Sequence, residues 1–189
     1  MKNLKTLGLV LFGITTFISC NNDDNSTSVN EEEVITTVTT TLRTAVGANV
    51  ETAILTSRDL DGEGPNAPLI TVSGNLKANT SYSGEVAFFN EIANPVSDIT
   101  LEVLEEGIEH QLFFQAPAAL GTFTYADADA NGKPIGLAFT LVTGNATSGN
   151  LLVTLRHEPN KSAAGVANGD ITNAAGATDA EVSYPIVIE

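Results

Sequence analysis

The chain is poor in cysteine and in large aromatic residues. Its 189 residues include one cysteine and no tryptophan, with three tyrosines and eight phenylalanines. A single cysteine excludes a disulfide within the chain, so the fold must be stabilised by its core alone. Sugar-binding sites usually stack their ligand on exposed tryptophan or tyrosine rings. The shortage of such rings makes a carbohydrate-binding function less expected.

Basic residues are also scarce. The chain has 8 lysines and arginines against 23 aspartates and glutamates, a formal net charge of −15. Lys2 and Lys5 lie in the N-terminal leader, and without them 6 bases face 23 acids, which gives a net charge of −17. A field of this sign repels nucleic acid and anionic membrane surfaces, which excludes both as partners of the folded part. Cations and basic protein patches remain.

No apolar run is long enough to span a bilayer. Two lysines near the N terminus are followed by an apolar stretch from residue 6 to residue 18. About 13 helical residues span roughly 20 Å, whereas the hydrocarbon core of a bilayer is about 30 Å thick. Residues 1–19 are therefore predicted to be an export signal peptide rather than a membrane helix.

The single cysteine, Cys20, directly follows this leader. The segment FISC at 17–20 resembles the bacterial lipobox, in which a signal peptidase cuts before a cysteine whose sulfur has been diacylated. Ser19 and Ile18 match the motif, while Phe17 replaces its preferred leucine. The resemblance implies a diacylglycerol and an N-acyl chain on Cys20, which anchor the protein stably in a membrane. The alternative is a plain secretory signal with a cysteine placed there by chance.

Residues 20–33 are predicted to form a flexible acidic tether. The run NNDDNSTSVNEEE at 21–33 has almost no apolar side chains to bury in a fold. Such a segment has a root-mean-square reach of about 20 Å. Its early acidic residues resemble the surface-export signal of Bacteroidota lipoproteins, which implies an outer-membrane protein on the extracellular face. A plain spacer on a lipoprotein that faces the periplasm is the alternative.

From residue 34 to residue 189 the dominant pattern alternates with a period of two. β-Branched residues are frequent in short segments, which are separated by Gly, Asn, Asp and Pro. The candidate strands lie at 34–42, 50–54, 68–72, 82–88, 112–114, 120–125, 137–141, 151–155 and 182–188. This pattern predicts one all-β domain, an antiparallel immunoglobulin-like β-sandwich of about eight or nine strands.

One segment, 97–111, departs from this alternation. Leu101, Leu104 and Ile108 recur at helical spacing and would form the apolar face of a short helix that crosses from one sheet to the other. Asp98, or the serine before it, can cap the start of this helix.

Five segments give the chain a family resemblance. They read RDLDGEGPNAP, EEGIEHQ, YADADANGKP, LRHEPNK and NGDITNAAG. Together they resemble small flavobacterial lipoproteins often labelled "type 1 periplasmic binding fold superfamily", and the likeness covers nearly the whole chain. It implies no biochemical role. The fold in that label disagrees with the sequence, because two-lobed solute-binding proteins need repeated strand–helix–strand units and this chain has one plausible helix.

Two acidic loops have the spacing of the first half of a calcium loop. Side-chain oxygens at positions 1, 3 and 5, followed by glycine, are typical of calcium sites. The candidate metal ligands are Asp127, Asp129 and Asn131 in one loop and Asp59, Asp61 and Glu63 in the other. Position 12, a glutamate in an EF-hand, is Ala138 in one loop and Ile70 in the other. The alternative is turn chemistry alone, with a hairpin turn at Asn131-Gly132 and an aspartate turn at 59–62.

The two histidines allow a second metal hypothesis. Glu102, Glu106 and His110 would form one row on the predicted helix, and such a row can offer ligands to a transition metal if His157 meets it in space. The alternative is a solvated acidic helix face, with His157 ending the core-facing row of residues 151–155 and bonded to the backbone.

Catalytic motifs are absent from the sequence. It contains no GxSxG nucleophile elbow, no HExxH and no glycine-rich phosphate loop. The predicted function is therefore that of a lipid-anchored outer-membrane lipoprotein that acts as a non-catalytic binding or structural accessory module. Calcium is its candidate ion, and a protein of the cell envelope its expected partner. The two acidic loops and the long Gly/Ala/Asn-rich loop at 158–179 are the candidate contact surfaces. The alternative is an envelope solute- or carbohydrate-binding protein, which a deep pocket lined by rings would favour.

Overall fold

The part of the chain that the computed structural model describes, residues 33–44, 50–62 and 64–189, forms two antiparallel β-sheets. The predicted signal peptide, Cys20 and all of the predicted tether except its last residue lie outside this part, as does Glu63. No helix among the described residues combines the length and the apolar character that a membrane crossing needs.

Ten strands and one α-helix are formed within the described ranges. The strands are β1 (Thr37–Thr44), β2 (Thr52–Arg58), β3 (Leu69–Val72), β4 (Ser81–Asn90), β5 (Ser97–Asp98), β6 (His110–Gln115), β7 (Gly121–Tyr125), β8 (Ala138–Thr143), β9 (Thr147–His157) and β10 (Ala177–Ile188). The helix is α1 (Ile99–Glu105). The predicted all-β antiparallel sandwich is confirmed, and the predicted strands all reappear. The additional strand is the two-residue β5, which is too short to leave a periodic pattern.

The two sheets differ in size. The larger has the order β3-β2-β1-β4-β8-β7, with β5 paired to the end of β4, and the smaller has the order β10-β9-β6. The side chains between them form one core, in which Leu42 and Phe88 of the larger sheet and Leu155 and Tyr184 of the smaller are almost fully buried. Each such side chain contributes about 1.5–3 kcal/mol on burial. The Tyr184 hydroxyl also donates to the Val38 carbonyl across the core, at 2.9 Å.

Helix α1 links β5 of the larger sheet to β6 of the smaller, which confirms the predicted crossing helix. Asp98 caps it as predicted, since its Oδ1 accepts from the Thr100 amide at 3.0 Å. The side chain of Thr100 in turn bonds the β4 backbone at Phe88, which docks the helix on the larger sheet.

The predicted apolar face of this helix was wrong. Leu101, Leu104 and Ile108 are 59%, 52% and 52% exposed, whereas Ile99 and Val103 are buried. The helix ends at Glu105, so Ile108 does not belong to it. In a helix of only two turns, tertiary contact decides between two apolar stripes, and the stripe of Ile99 and Val103 lies against the sheet.

The long 158–179 segment is more ordered than its composition indicates. It contains two short 3₁₀ helices, Val166–Asn168 and Ile171–Asn173. Val166 and Ala174 are fully buried against Phe113 of β6, in a small cluster separate from the main core. Because strand side chains alternate, Phe113 points away from the main core. The segment therefore covers the outer face of the smaller sheet.

Candidate functional site

Both histidines of the chain meet at one end of the smaller sheet. His110 is the first residue of β6 and His157 the last residue of β9, and the two are directly opposite in the antiparallel register. Paired residues point to the same face of a sheet. The ring centroids are 4.6 Å apart with planes at 77°, and both residues are buried.

Two carboxylates join the histidines from outside the regular β ladder. Glu33 lies just before β1 and is the last residue of the predicted tether. Asp179 is the extra residue of a β-bulge in β10, since the pairing with β9 steps from Thr178 to Ala180. Bulges redirect a side chain that a regular strand would place elsewhere. The Glu33 and Asp179 side chains are only 3% and 4% exposed.

The four side chains form a compact cluster, called here the His–carboxylate centre. Nε2 of His110 lies 2.8 Å from Oε1 of Glu33 and 3.8 Å from Oδ2 of Asp179. Nδ1 of His157 lies 3.9 Å from Oε2 of Glu33 and 3.8 Å from Oδ2 of Asp179. One ligand atom from each residue falls within 4.8 Å of all the others.

The orientation of His110 is set by the backbone behind it. Its Nδ1 lies 3.2 Å from the carbonyl oxygen of Glu106, which can only accept, so Nδ1 carries a hydrogen and donates. This orientation makes Nε2 of His110 face the His–carboxylate centre. Among the described residues neither Nε2 of His110 nor Oε2 of Glu33 has a hydrogen-bond partner of good geometry, although both atoms are buried.

The pKa values of Glu33 and His110 shift in opposite directions. Burial alone would lower the pKa of His110, but the Glu33 carboxylate, with smaller help from the Glu106 carbonyl and Asp179, raises it above its ordinary value. Burial alone would raise the pKa of Glu33, but His110 and His157 hold it below its ordinary value. Without a bound cation, the pair favours an ionised carboxylate beside a protonated imidazole.

A more exposed acidic group lies on the other side of His157. Nε2 of His157 is 3.9 Å from Oε2 of Glu109, whose side chain is 54% exposed. Glu158 brings a further carboxylate oxygen within 4.8 Å of both. His157 thus separates a buried acidic environment from a solvated one.

The predicted row of Glu102, Glu106 and His110 does not exist as such. The helix ends before Glu106 and His110 belongs to β6, so Glu106 contributes its carbonyl and not its carboxylate. The condition that His157 approach His110 is nevertheless met, and His157 ends the core-facing row as predicted. Sequence reasoning missed Glu33 and Asp179 as members of the centre. Neither has a local spacing that points to His110 or His157.

The predicted calcium loop at 127–132 is held by contacts within the protein. Oδ1 and Oδ2 of Asp127 accept from the amides of Gly136 and Ala138, at 2.7 and 2.9 Å. Asp129 accepts from the amides of Asn131 and Lys133 through Oδ1, at 2.8 and 2.9 Å. The strands on either side, β7 and β8, pair antiparallel, and the predicted turn at Asn131-Gly132 lies within their longer connection, 126–137.

The buried ammonium group of Lys161 supplies a positive charge beside this loop. Nζ of Lys161 lies 3.0 Å from Oδ2 of Asp129 and also donates to the carbonyls of Gly107 and Pro134. Burial lowers the pKa of Lys161 although Asp129 opposes the shift. The one carboxylate and two carbonyls around Nζ of Lys161 are oxygen ligands of the kind that also bind calcium.

The second loop is a turn on the surface. Oδ1 of Asp59 accepts from the amides of Asp61 and Gly62, at 3.3 and 2.9 Å. Oδ2 of Asp61 accepts from the side chain of Asn66 at 2.6 Å, the main cause that lowers the Asp61 pKa. Glu63 lies outside the described residues. The calcium hypothesis for these loops stays a prediction.

An aromatic pocket of about 230 Å³ opens between β7 of the larger sheet and Phe114 of β6 in the smaller. Phe114 and Phe123 stack in it with centroids 5.4 Å apart and planes at 7°. Tyr125 and Asn168 also line the pocket. The Tyr125 hydroxyl donates to the Leu112 carbonyl at 2.6 Å, so this ring is fixed in place.

Comparison with known proteins adds no relative. No family model, curated protein or solved structure matches the chain. The resemblance to the flavobacterial lipoproteins therefore stays a prediction.

Proposed function

We propose that this chain is a lipid-anchored lipoprotein of the outer membrane whose β-sandwich acts as a non-catalytic binding or structural module. The proposal includes acylation of Cys20, exposure on the cell surface and an envelope protein as partner. The observation that carries it is the succession of a short leader, a single cysteine at its end and an acidic segment before the β domain.

The position of Glu33 supports this organisation. Glu33 is the last residue of the acidic segment, and its side chain is buried in the domain. The tether would therefore end at a fixed point, Glu33, ahead of β1.

The burial of the His–carboxylate centre supports a module rather than an enzyme. The side chains of His110, His157, Glu33 and Asp179 are at most 5% exposed. Their facing atoms lie within 4.8 Å of one another, which leaves room for a proton or an ion but not for an organic substrate. General acid–base catalysis requires the group to reach its substrate directly or through one water.

Mass spectrometry of the protein isolated from its native membrane tests the anchor. We expect a mature chain that begins at an acylated Cys20, and we expect Cys20→Ser to release the domain from the membrane fraction. Protease treatment of intact cells tests the exposed face, because a surface module is degraded while a periplasmic control protein is spared. An unmodified Cys20 thiol, or an uncut leader, would remove the basis for the anchor.

The aromatic pocket favours a second candidate, an envelope solute-binding protein. Stacked Phe114 and Phe123 offer a flat apolar face, and Thr122, Thr124 and Asn168 offer polar groups beside it. Rings with adjacent polar groups suit the alternating faces of a small sugar. Titration with a panel of mono- and disaccharides, followed by NMR, tests this candidate. Shifts that Phe123→Ala removes would favour it over the module, and no shift for any sugar would count against it.

A further inference from the structure

We propose that the His–carboxylate centre, formed by Glu33, His110, His157 and Asp179, binds one divalent transition-metal ion, for which zinc is the best fit. This inference goes beyond the proposed function and does not depend on the lipid anchor. It differs from the calcium prediction in its residues, its ligand atoms and its place in the fold.

The spacing of the four ligand atoms suits a single small ion. Zinc binds histidine nitrogens and carboxylate oxygens at about 2.0–2.2 Å, so neighbouring ligand atoms in a tetrahedral site are about 3.4 Å apart. One nitrogen or oxygen atom of each residue lies within 4.8 Å of the others. The separations range from 2.8 Å, between Nε2 of His110 and Oε1 of Glu33, to 3.9 Å, between Nδ1 of His157 and Oε2 of Glu33, and the tetrahedral value lies within this range.

One buried oxygen of the centre, Oε2 of Glu33, calls for a partner. Oε2 of Glu33 is buried without a hydrogen-bond partner among the described residues, and Nε2 of His110 faces the other Glu33 oxygen at 2.8 Å, with the two side chains 3% and 0% exposed. Buried polar atoms in native proteins are almost always satisfied by a protein group, a water or an ion. A metal ion bound among the four residues would give Oε2 of Glu33 a partner.

Charge and ligand type decide which cation fits. Two carboxylates and two neutral imidazoles carry a net charge of −2, which a divalent ion cancels. Calcium and magnesium prefer oxygen ligands throughout, whereas imidazole nitrogen suits zinc, copper, iron and nickel. With two nitrogens among four ligands, the centre selects transition metals.

The groups behind the ligands are those of a metal site. Histidine ligands usually donate their second ring nitrogen to a carbonyl or a carboxylate, which fixes the tautomer and the ring orientation. Nδ1 of His110 has the Glu106 carbonyl at 3.2 Å, so Nε2 is free of hydrogen in the neutral ring and can bind metal. Nε2 of His157 has the Glu109 carboxylate at 3.9 Å, while its Nδ1 faces the centre.

Four protein ligands leave no open position, which is typical of structural rather than catalytic zinc. The ion would join β6, β9, the bulge of β10 and Glu33, which lies ahead of β1. These four segments come from distant parts of the chain. The expected effect of the ion is therefore to stabilise the domain and to fix its N-terminal attachment.

Metal titration of the full chain in detergent tests the proposal. The protein is freed of metal with EDTA and given Zn²⁺, and bound zinc is counted by elemental analysis after gel filtration. We expect one zinc per chain and a higher melting temperature. Co²⁺ in place of Zn²⁺ should give the intense visible bands of a four-coordinate ion, and Ca²⁺ should not displace it. A wild-type chain that retains no zinc, or whose Co²⁺ spectrum is that of the hexaaqua ion, would overturn the proposal.

Single substitutions then test the ligand set. Loss of a group that merely orients a ligand weakens metal binding by about 10–100-fold. Loss of a ligand in Glu33→Gln or Asp179→Asn should therefore weaken zinc binding by at least about 100-fold. Glu102→Gln, on α1, is the matched control and should bind zinc like the wild type. Circular dichroism in EDTA verifies that each variant is folded.

Glu109→Gln separates the buried centre from its exposed neighbour. Glu109, His157 and Glu158 form the other group of potential ligands in the described residues. Zinc binding that survives Glu33→Gln and disappears in Glu109→Gln would overturn the assignment to the buried centre. If Glu33→Gln fails to fold, the wild-type zinc count and Co²⁺ spectrum, together with Asp179→Asn, still decide the proposal.

Discussion

Nε2 of His110 and Oε1 of Glu33 lie 2.8 Å apart inside the protein, although the two residues belong to different segments and neither is exposed. The Glu33 carboxylate raises the pKa of His110, and His110 lowers the pKa of Glu33, so each residue favours the charged form of the other. The stability of the metal-free domain should therefore depend on pH in a way that this pair dictates.

With EDTA present, the pair should stabilise the domain most in mildly acidic solution. The pKa of Glu33 is below its ordinary 4.5, so its contribution is complete above that pH and is lost as the pH falls through the folded-state pKa. The pKa of His110 is above its ordinary 6.5, so its contribution is complete below that pH and is lost as the pH rises through the folded-state pKa. Thermal melts across this range should show a maximum between the two ordinary values.

His110→Gln should flatten this pH profile, because Gln does not titrate. Glu51→Gln is a suitable control, since Glu51 pairs with Lys77 on the surface and its loss should leave the profile intact. A profile of unchanged shape in His110→Gln would show that other groups determine it.

Lys161 is expected to be a large single contributor to stability. Lys161→Met keeps the volume of the side chain but leaves the Asp129 carboxylate, 1% exposed, without its cation. Breaking one side of a buried ion pair costs about 3–5 kcal/mol. Urea unfolding should show this loss, and Lys161→Met with Asp129→Asn should recover part of it because the uncompensated charge is gone.

Lys77→Met is the matched comparison for Lys161→Met. Lys77 and Glu51 form an exposed pair, with side chains 58% and 46% exposed, and solvent and salt screen such pairs so that they contribute little to stability. Equal losses for the two lysines would contradict the structural role of Lys161.

Gly176 is expected to tolerate no side chain. Its φ is +74°, and an added Cβ would lie 2.1 Å from the carbonyl oxygen of His157. Gly132 has a similar φ of +71°, but a Cβ there would meet nothing within 4 Å. Gly132→Ala should therefore cost about 1–2 kcal/mol for the left-handed backbone alone. Gly176→Ala should cost about 3 kcal/mol or more, since the clash adds to the strain.

Chemical denaturation of these two alanine variants measures the difference directly. The melting of Gly176→Ala should also become insensitive to zinc, because the clash displaces His157. Similar stability losses at both positions would mean that the backbone near His157 can move to accept a methyl group.

The calcium prediction is tested by thermal melts with millimolar calcium. If Asp127 and Asp129 bind the ion, the melting temperature should rise, and the rise should be absent in a double variant. Asn is the better replacement than Ala here, because both carboxylates accept main-chain hydrogen bonds that Asn can partly keep. No rise in the wild type would leave the loop as a turn.

Much of the fold could be predicted because its signals are local. Alternation with a period of two predicts strands wherever one face is buried. Asn131-Gly132 predicts a turn between β7 and β8, and a turn lies there within their connection. The cap at Asp98 follows from its own side chain. The buried face of α1 was not predictable in this way, since Leu101 and Leu104 form as good an apolar stripe as Ile99 and Val103.

The His–carboxylate centre depends on information that is not local. His110 and His157 meet only because β6 and β9 pair in one register out of several. Asp179 reaches them through an irregularity in the β10 pairing, and Glu33 through a segment whose composition predicts a flexible tether. Sequence reasoning therefore found the two imidazoles and the condition that joins them, but not the carboxylates.

The bulge at Asp179 interrupts the regular pairing of β10 with β9. Thr178 pairs with Arg156 and Ala180 with Leu155, which are consecutive on β9. Deleting Asp179 alone would make the ladder continuous without moving any other pair. A single lost codon would thus yield the more regular strand, and only the inward-turned carboxylate would be missing.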